Sequence, residues 1–248
     1  MGINYNPFAL VDKNILITGA SSGIGRATAI ECSKLGAHVI ATGRNEVRLE
    51  ETLSELYGDG HKMVVCDITD EDSLDKLVSS VPELDGLVNN AGYIDLLPIK
   101  LINSQRFENL LKTNTIAPIL LFQKLLKKKK INNNSSIVFT SSLAGLGYGT
   151  VGNSMYSASK GAISSFVRVA SKEFANRRIR VNAVCPGMVK TDIMSRGGVS
   201  DSQLAEDEKN YPLGYGEPID VALLMVYLLS DASKWVTGTN MIIDGGVS

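Results

Sequence analysis

The chain has 248 residues, 44% hydrophobic and 21% charged, and its 25 basic and 26 acidic residues leave a net charge of −1. This composition is typical of a globular protein with a sizeable core, and the balanced charge argues against nucleic acid or an anionic membrane as a partner. Three separated cysteines in apolar segments and two histidines outside any Cys/His cluster predict neither disulfides nor a metal site.

From Asn14 onward, short β-rich runs alternate with amphipathic helical patterns. The expected strands are Asn14–Thr18, His38–Thr42, Lys62–Cys66, Gly86–Asn89, Ser136–Thr140, Arg180–Val184 and Asn240–Ile243. The expected helices are Ile24–Leu35, Glu46–Tyr57, Glu71–Ser80, Ser104–Lys129, Tyr156–Asn176 and Pro218–Ser230. Unbroken Val, Ile and Leu runs are typical of strands buried on both faces of a parallel sheet. The pattern predicts an α/β Rossmann fold, a three-layer doubly wound parallel sheet of seven strands with helices on both faces, in a single domain over residues 1–248.

A glycine-rich loop, Thr18–Gly25, joins the first strand to the first helix with the spacing G-x-x-x-G-x-G. Glycines let the backbone approach a pyrophosphate, and the helix N-terminus offers free N–H groups and the positive end of its dipole. Glycines also serve ordinary turns, but the strand–loop–helix setting favours dinucleotide binding. The predicted cofactor contacts here are Gly19, Ser21, Ser22, Gly23, Ile24 and Gly25.

The end of the second strand predicts which dinucleotide is bound. An acidic side chain there would accept a hydrogen bond from the ribose 2′-hydroxyl of NAD. This chain has Gly43 followed by Arg44, whose guanidinium can bind a 2′-phosphate through charge-assisted hydrogen bonds. We therefore expect NADP(H) to be preferred over NAD(H). The alternative is that Arg44 is only a solvated loop residue.

The third and fourth strands end in further candidate contacts. Asp67 can accept from the adenine amine, Ile68 can pack on its ring, and the small residues of Asn90-Ala91-Gly92 allow close approach to the adenine ribose. The amide of Asn89 is expected to tie neighbouring strands together. The Lys127–Lys130 run follows an apolar helical pattern, so we interpret it as a helix C-terminus, where cations are favourable, and not as a nucleic-acid patch.

Tyr156 and Lys160 stand four residues apart in a predicted helix, so they project from the same face. There an ammonium group can lower the pKa of the phenol towards the working range of an acid/base. Ser142, fourteen residues before Tyr156, can hold a substrate oxygen where the phenol transfers its proton. These groups suit redox chemistry between a carbonyl and an alcohol, provided that a cofactor supplies the hydride.

A polar segment at about residues 192–211 interrupts the alternation between the sixth strand and the last helix, and it contains Gly197-Gly198. Loops after the carboxyl ends of strands line the ligand crevice of an open α/β sheet. We therefore expect a lid over the substrate, the alternative being a plain surface excursion. The apolar Ile193, Met194 and Leu204 fit an apolar substrate group, and they fit contact with the fold or another subunit equally well.

Together these motifs resemble the short-chain dehydrogenase/reductase family over about Asp12 to Gly246. The likeness includes the T-G-x-x-x-G-I-G loop, N-N-A-G at Asn89–Gly92, the Ser/Tyr/Lys set and the Pro186-Gly187 turn. The stretches Val236–Asn240 and Asp244–Gly246 are similar to the branch that contains bacterial 3-oxoacyl-carrier-protein reductases and related sugar or steroid dehydrogenases.

The resemblance implies roles for individual residues. Tyr156 matches the family's proton donor and acceptor, Lys160 the residue that lowers its pKa and binds the nicotinamide ribose, and Ser142 the anchor of the substrate oxygen. Asn114 matches an asparagine whose backbone holds a water in the proton relay. The positions that hold the nicotinamide carboxamide are matched by Pro186, Gly187, Val189 and Thr191.

Three departures from the family pattern matter. Ser22 stands where many NADP-dependent relatives have a basic residue, so phosphate recognition depends more heavily on Arg44. Tyr215 stands where close relatives of the carrier-protein reductases often have arginine, which weakens that substrate assignment. The interval from Ser142 to Tyr156 is one residue longer than in several of those reductases, leaving Gly145–Asn153 as an enlarged substrate loop.

The leading hypothesis is an NADP(H)-dependent oxidoreductase (EC 1.1.1.-) acting on a small molecule or an acyl thioester, with a 3-oxoacyl thioester as one possible substrate. The alternatives are a dehydrogenase of a sugar, a steroid or another small alcohol, and a non-catalytic dinucleotide-binding sensor. The complete catalytic set argues against a sensor, and the chain length argues against a dehydratase or epimerase, which usually carries an additional substrate domain.

The sequence also suggests location and assembly. The segment Met1–Asp12 lacks a leader-peptide pattern and no apolar run reaches membrane-spanning length, so a cytoplasmic protein is expected. The helices Ser104–Lys129 and Tyr156–Asn176 and the run Trp235–Ile243 are more apolar than one sheet face requires. With the resemblance, they predict a homotetramer; the alternative is that they only complete the core of a monomer.

Overall fold

A computed structural model of the protein describes residues 5–192 and 200–248. In this part, seven parallel strands form one sheet in the order β3-β2-β1-β4-β5-β6-β7. The strands are β1 Asn14–Thr18, β2 His38–Gly43, β3 Lys62–Val65, β4 Leu84–Asn89, β5 Ile131–Thr140, β6 Arg180–Pro186 and β7 Asn240–Ile243. The strand order reverses between β1 and β4, which is where ligands bind in open α/β sheets. The predicted Rossmann architecture is confirmed.

Helices cover both faces of the sheet. In chain order they are α1 Gly23–Lys34, α2 Glu46–Ser54, α3 Glu71–Ser80, α4 Ser104–Leu111, α5 Ala117–Lys127, α6 Ser154–Glu173, α7 Asp201–Glu208 and α8 Pro218–Leu229. Buried side chains of α3, α5 and α6 pack on one face, and those of α1, α2 and α8 on the other. Three helices start at Asn45, Asp70 and Asn103, whose side chains accept from the backbone N–H three residues later.

The boundaries of β1, β7 and α3 coincide with the expected ones. Strand β5 begins at Ile131, five residues before the expected Ser136, because Ile131 pairs with Leu84 before the register shifts towards Gly86. The expected helix Ser104–Lys129 is interrupted by a π-helical turn, Lys112–Ile116. Of the Lys127–Lys130 run, Lys127 ends α5, as expected for a helix C-terminus.

No helix in the described ranges is both long and apolar enough to cross a bilayer. Within the same ranges, His, Cys, Asp and Glu side chains form no group of three or more that could hold a metal ion.

Candidate active site

A cavity of about 1140 Å³ opens at the carboxyl ends of the strands. The expected site residues that line it are Gly19, Ser21, Ser22, Gly23, Ile24, Arg44, Asp67, Ile68, Asn90, Ala91, Gly92, Ser142, Tyr156, Lys160, Pro186, Gly187, Val189 and Thr191. Gly25 and Asn114 do not line it; both lie directly behind its wall. The fold therefore gathers the predicted site residues of six loops and of α6 around one continuous cavity.

The glycine-rich loop forms a cradle that side chains would fill. Gly19 has a φ of +67°, in the region that favours glycine, and a Cβ on Gly25 would lie 2.2 Å from the Gly19 carbonyl oxygen. Gly25 therefore allows α1 to approach the loop closely. Because the free N–H groups at the start of α1 face this cradle, the residues present fit the pyrophosphate of a dinucleotide.

Asn90, and not Asn89, ties the strands together beside this cradle. The backbone N–H groups of Asn90 and Ala91 both donate to the Thr18 hydroxyl at 3.0 Å, and the Asn90 side chain bonds to Thr18 and to Thr140. Both amide atoms of Asn89 are buried without a hydrogen-bond partner among the described residues. The expectation that Asn89 links the strands was therefore wrong, and the neighbouring Asn90 does so. Successive side chains along a strand point in opposite directions, so a shift of one residue changes which asparagine can reach the adjacent strands.

Arg44 and Asp67 lie at the end of the cavity beside β2 and β3. Burial raises the pKa of the Asp67 carboxyl, but hydrogen bonds from Thr69 and the positive charges of Arg44 and Lys112 outweigh it, and the pKa falls below its ordinary value. Arg48, one turn into α2, lines the same end and pairs with Asp192 at 3.0 Å. Arg48 was missed in the sequence, although it follows Arg44 by four residues.

Ser142, Tyr156 and Lys160 meet where β5 and α6 approach each other. Ser142 begins a short 3₁₀ turn, Leu143–Leu146, and its hydroxyl accepts from the Ala144 N–H at 3.2 Å. The Lys160 Nζ donates to the Thr140 carbonyl oxygen at 2.7 Å and lies 5.8 Å from the centre of the Tyr156 ring. The serine, the phenol and the ammonium thus face one point in the cavity.

Burial dominates the acid/base properties of this set. It raises the pKa of Tyr156 to about 12, with the Ser142 hydrogen bond acting in the opposite direction. It lowers the pKa of Lys160 to about 8. The expected lowering of the phenol pKa by Lys160 is therefore not observed, because desolvation of the phenolate is the larger effect and the ammonium is engaged by Thr140.

Asn114 lies in the π-helical turn and is 1% exposed. Its side-chain oxygen accepts from the Tyr93 N–H at 3.0 Å, and its amide nitrogen donates to the Tyr93 carbonyl at 2.8 Å and the Ser159 hydroxyl at 3.2 Å. Asn114 therefore links the loop after β4 to α6, next to Lys160. π-Helical turns are frequent at functional sites, and no sequence motif predicted this one.

The 3₁₀ turn after Ser142 packs on α6 without an intervening side chain. A Cβ on Gly145 would lie 2.7 Å from the Lys160 carbonyl carbon and 2.9 Å from the Gly161 nitrogen. Ser141 donates to the Lys160 carbonyl oxygen at 2.9 Å. These backbone contacts fix the distance between Ser142 and the residues of α6.

Two of the segments that form the rest of the wall are those expected near the substrate. The loop Gly145–Asn153 contributes Tyr148, Thr150 and Asn153, and the expected lid contributes Leu204, Asp207, Asn210 and Tyr211. Ile193, Met194 and Gly197-Gly198 lie outside the described residues. The described part of this segment contains a helix, α7, that was not expected, although its capping box from Ser200 to Gln203 is visible in the sequence.

Tyr215, one of the three departures from the family pattern, is 6% exposed and does not line the cavity. Its hydroxyl lies 2.7 Å from an Asp207 carboxylate oxygen and 3.0 Å from the Leu204 carbonyl oxygen, so it anchors α7.

Comparisons with known proteins agree with this geometry. A sequence model described as enoyl-(acyl carrier protein) reductase matches residues 19–248. A 3-oxoacyl-[acyl-carrier-protein] reductase of Rickettsia felis is 36% identical over 240 residues, covering 96% of this chain and 98% of the relative. A tropinone reductase homologue of Arabidopsis thaliana is 35% identical over 250 residues, covering 97% of this chain and 92% of the relative.

Solved structures are similar over nearly the whole chain. A candidate NAD(P)-dependent gluconate 5-dehydrogenase from Beutenbergia cavernae, solved with NADP bound at low occupancy, has a TM-score of 0.89 and 30% identity, covering 98% of this chain and 99% of that one. A short-chain dehydrogenase/reductase family protein has a TM-score of 0.84 and 31% identity, covering 96% and 97%.

Proposed function

This chain belongs to the short-chain dehydrogenase/reductase family and is an oxidoreductase acting on CH–OH and C=O groups, and we propose that it uses NADP(H), with Tyr156 as general acid/base. The observation that carries the proposal is the meeting of Ser142, Tyr156 and Lys160 in the same cavity as the glycine cradle. When bound, the nicotinamide supplies or accepts the hydride.

Each residue of the proposed set has one task. Ser142 and Tyr156 hold the substrate oxygen between two hydroxyl groups. With a pKa of about 12, the phenol carries its proton at neutral pH and can give it to the oxygen of a carbonyl that is being reduced. Lys160 would donate a hydrogen bond to the nicotinamide ribose, and Asn114 holds the loop of Tyr93 against α6.

The preference for NADP(H) is supported by Arg44 at the cavity rim, with no carboxylate at the end of β2. The NADP present in the Beutenbergia structure agrees with it. Ser22 leaves Arg44 as the main candidate for the 2′-phosphate, with Arg48 beside it on α2.

Two substrate classes have support. A 3-oxoacyl thioester is favoured by the rickettsial relatives, which are named for that substrate. A small polar alcohol or sugar is favoured by the candidate gluconate dehydrogenases among the solved structures and by the polar groups of Tyr148, Thr150 and Asn153 along the cavity.

We also infer a homotetramer. Exposed apolar side chains lie on the long helices and near the C-terminal strand: Ile116 is 48% exposed, Leu120 41%, Val169 56%, Trp235 96% and Ile242 45%. Such residues are typical of interfaces between subunits.

The test of the proposed activity is NADPH oxidation over acyl thioesters, ketoses, steroids and small diketones, with Tyr156→Phe as the variant. The variant should lose about 10²-fold or more in kcat, the scale of general acid/base catalysis, while binding NADPH as the native protein does. Tyr57→Phe, at an exposed tyrosine away from the cavity, is the matched control. Near-native kcat in a folded Tyr156→Phe protein, or tight NADPH binding without turnover of any carbonyl, would contradict the proposal.

A further inference from the structure

The cavity wall formed by α7 and the residues after it is built around two tyrosines. Tyr215 is buried, and its hydroxyl contacts Asp207 and Leu204. Burial and the Asp207 carboxylate both raise the pKa of Tyr215, so its hydroxyl stays protonated and donates a hydrogen bond to the carboxylate. The Tyr215 N–H also donates to Glu208 at 3.1 Å. Tyr215 thus fixes the orientation of Asp207, which itself lines the cavity.

This wall stands beside the Pro186-Gly187 turn, where the nicotinamide is expected to bind. The rings of Tyr211 and Tyr215 meet edge to face, with centres 4.9 Å apart. A Cβ on Gly187 would lie 3.1 Å from the Tyr211 ring, so Tyr211 packs directly on the Pro186-Gly187 turn after β6. Asp207 therefore belongs to the substrate part of the cavity and not to the adenine part.

The charge of Asp207 is not balanced within this part of the cavity. Among the described residues that line the cavity, the basic ones are Arg44 and Arg48 at the adenine end and Lys160 in the catalytic set. Among the described residues, Tyr215 is the side chain that donates a hydrogen bond to the Asp207 carboxylate, and it does so to one oxygen, Oδ2. The other oxygen can accept from a ligand. A carboxylate so placed attracts a hydroxyl donor and repels an anion.

We propose that Asp207, oriented by Tyr215, is a specificity-determining residue that selects neutral, hydroxylated carbonyl substrates over purely apolar or anionic ones. The inference rests on the proposed function and narrows its substrate class. The Asp207 carboxylate would disfavour binding of a substrate carboxylate, such as that of gluconate, at this wall. It would favour binding of a substrate with a second hydroxyl near the reacting carbon.

The test compares matched ketones that differ in one group. The pair 4-hydroxybutan-2-one and pentan-2-one exchanges a hydroxyl for a methyl, and the pair methyl acetoacetate and acetoacetate adds a negative charge. A hydrogen bond to a charged group corresponds to about ten- to a hundredfold in kcat/KM. The native enzyme should show such a preference for the hydroxyketone, and it should also prefer the ester to acetoacetate because the Asp207 carboxylate repels the anion.

Asp207→Asn should reduce both preferences to about threefold or less, mainly through KM. Tyr215→Phe should also reduce the hydroxyketone preference, mainly through KM of the hydroxyketone, because Asp207 loses the hydroxyl group that positions it. The control is Glu206→Gln on the same helix, because Glu206 is exposed and pairs with Lys209 outside the cavity. Unchanged ratios in Asp207→Asn would overturn the inference.

Binding separates this inference from the proposed activity. Dissociation constants of butane-1,3-diol and pentan-2-ol are measured by calorimetry on each protein saturated with NADP⁺. If no ketone is turned over but the diol binds more tightly and Asp207→Asn removes the difference, the proposed activity fails and the assignment of Asp207 stands. Equal affinities for the two alcohols in the native protein, or no binding of either, would overturn the assignment even if other carbonyls are reduced.

Discussion

Lys160 should lower the stability of the protein at neutral pH, and Lys160→Met should reveal it. The side chain is 4% exposed, and burial lowers its pKa from 10.5 to about 8. Between these two values the unfolded chain binds more protons than the folded protein, so stability rises with pH through this window. At about 1.4 kcal/mol per pKa unit, this shift corresponds to ~3 kcal/mol of stability lost at pH 7, where Lys160 is protonated in both states.

The measurement is urea unfolding at fixed protein concentration from pH 7 to pH 9.5. The free energy of unfolding of the native protein should gain about 2 kcal/mol over Lys160→Met across this interval. Lys172→Met, at an exposed lysine of the same helix, should instead run parallel to the native protein. Parallel curves for the native protein and Lys160→Met would refute the reasoning, because they would mean that the folded-state pKa of Lys160 is not lowered.

Three further outcomes are expected. The kcat/KM of the native enzyme should favour NADPH over NADH by about ten- to a hundredfold. Arg44→Ala should erase most of this preference, while Arg168→Ala, at an exposed position on α6, should preserve it. Equal use of both cofactors by the native enzyme would contradict the assignment. Gly145→Ala should destabilise the fold by about 1–3 kcal/mol and lower kcat at least about tenfold, because the new methyl group meets backbone atoms of α6. Gly216→Ala is the control, since a Cβ there would have no neighbouring atom closer than 3.7 Å. Equal effects of the two substitutions in urea unfolding and kinetics would exclude this explanation. Sedimentation equilibrium at micromolar concentration should give about four times 26.6 kDa, whereas a lone 26.6 kDa species would rule out the tetramer.

Features that depend on local sequence were predictable. The strands, the glycine-rich loop and the Tyr156–Lys160 spacing follow from short patterns of apolar residues, glycines and helix periodicity, and the structure gathers them at one cavity. The capping box at Ser200 and Gln203 carried the same kind of signal for α7. It could have been read from the sequence alone.

Features that depend on burial and on distant contacts were not predictable. The spacing of Tyr156 and Lys160 indicates a shared helix face, but the direction of the phenol pKa depends on how completely that face is desolvated. Whether Asn89 or Asn90 links the strands depends on the direction in which each side chain points at the end of β4. The wall of Asp207 and Tyr215 depends on a contact across a turn between residues that are eight apart in sequence, and no periodic pattern predicts such a contact.

The π-helical turn at Lys112–Ile116 has a consequence for reading the sequences of related proteins. A π-helical turn holds one residue more than an α-helical turn, so deleting one residue from it would leave a continuous α-helix and keep Leu121 and Leu125 of α5 in the same direction relative to α4. Both leucines are fully buried and would stay so, and the deletion would instead remove the bulge that brings Asn114 to Tyr93. A homologue with a one-residue gap here is therefore expected to have kept the fold and lost this asparagine link, whatever its percentage identity.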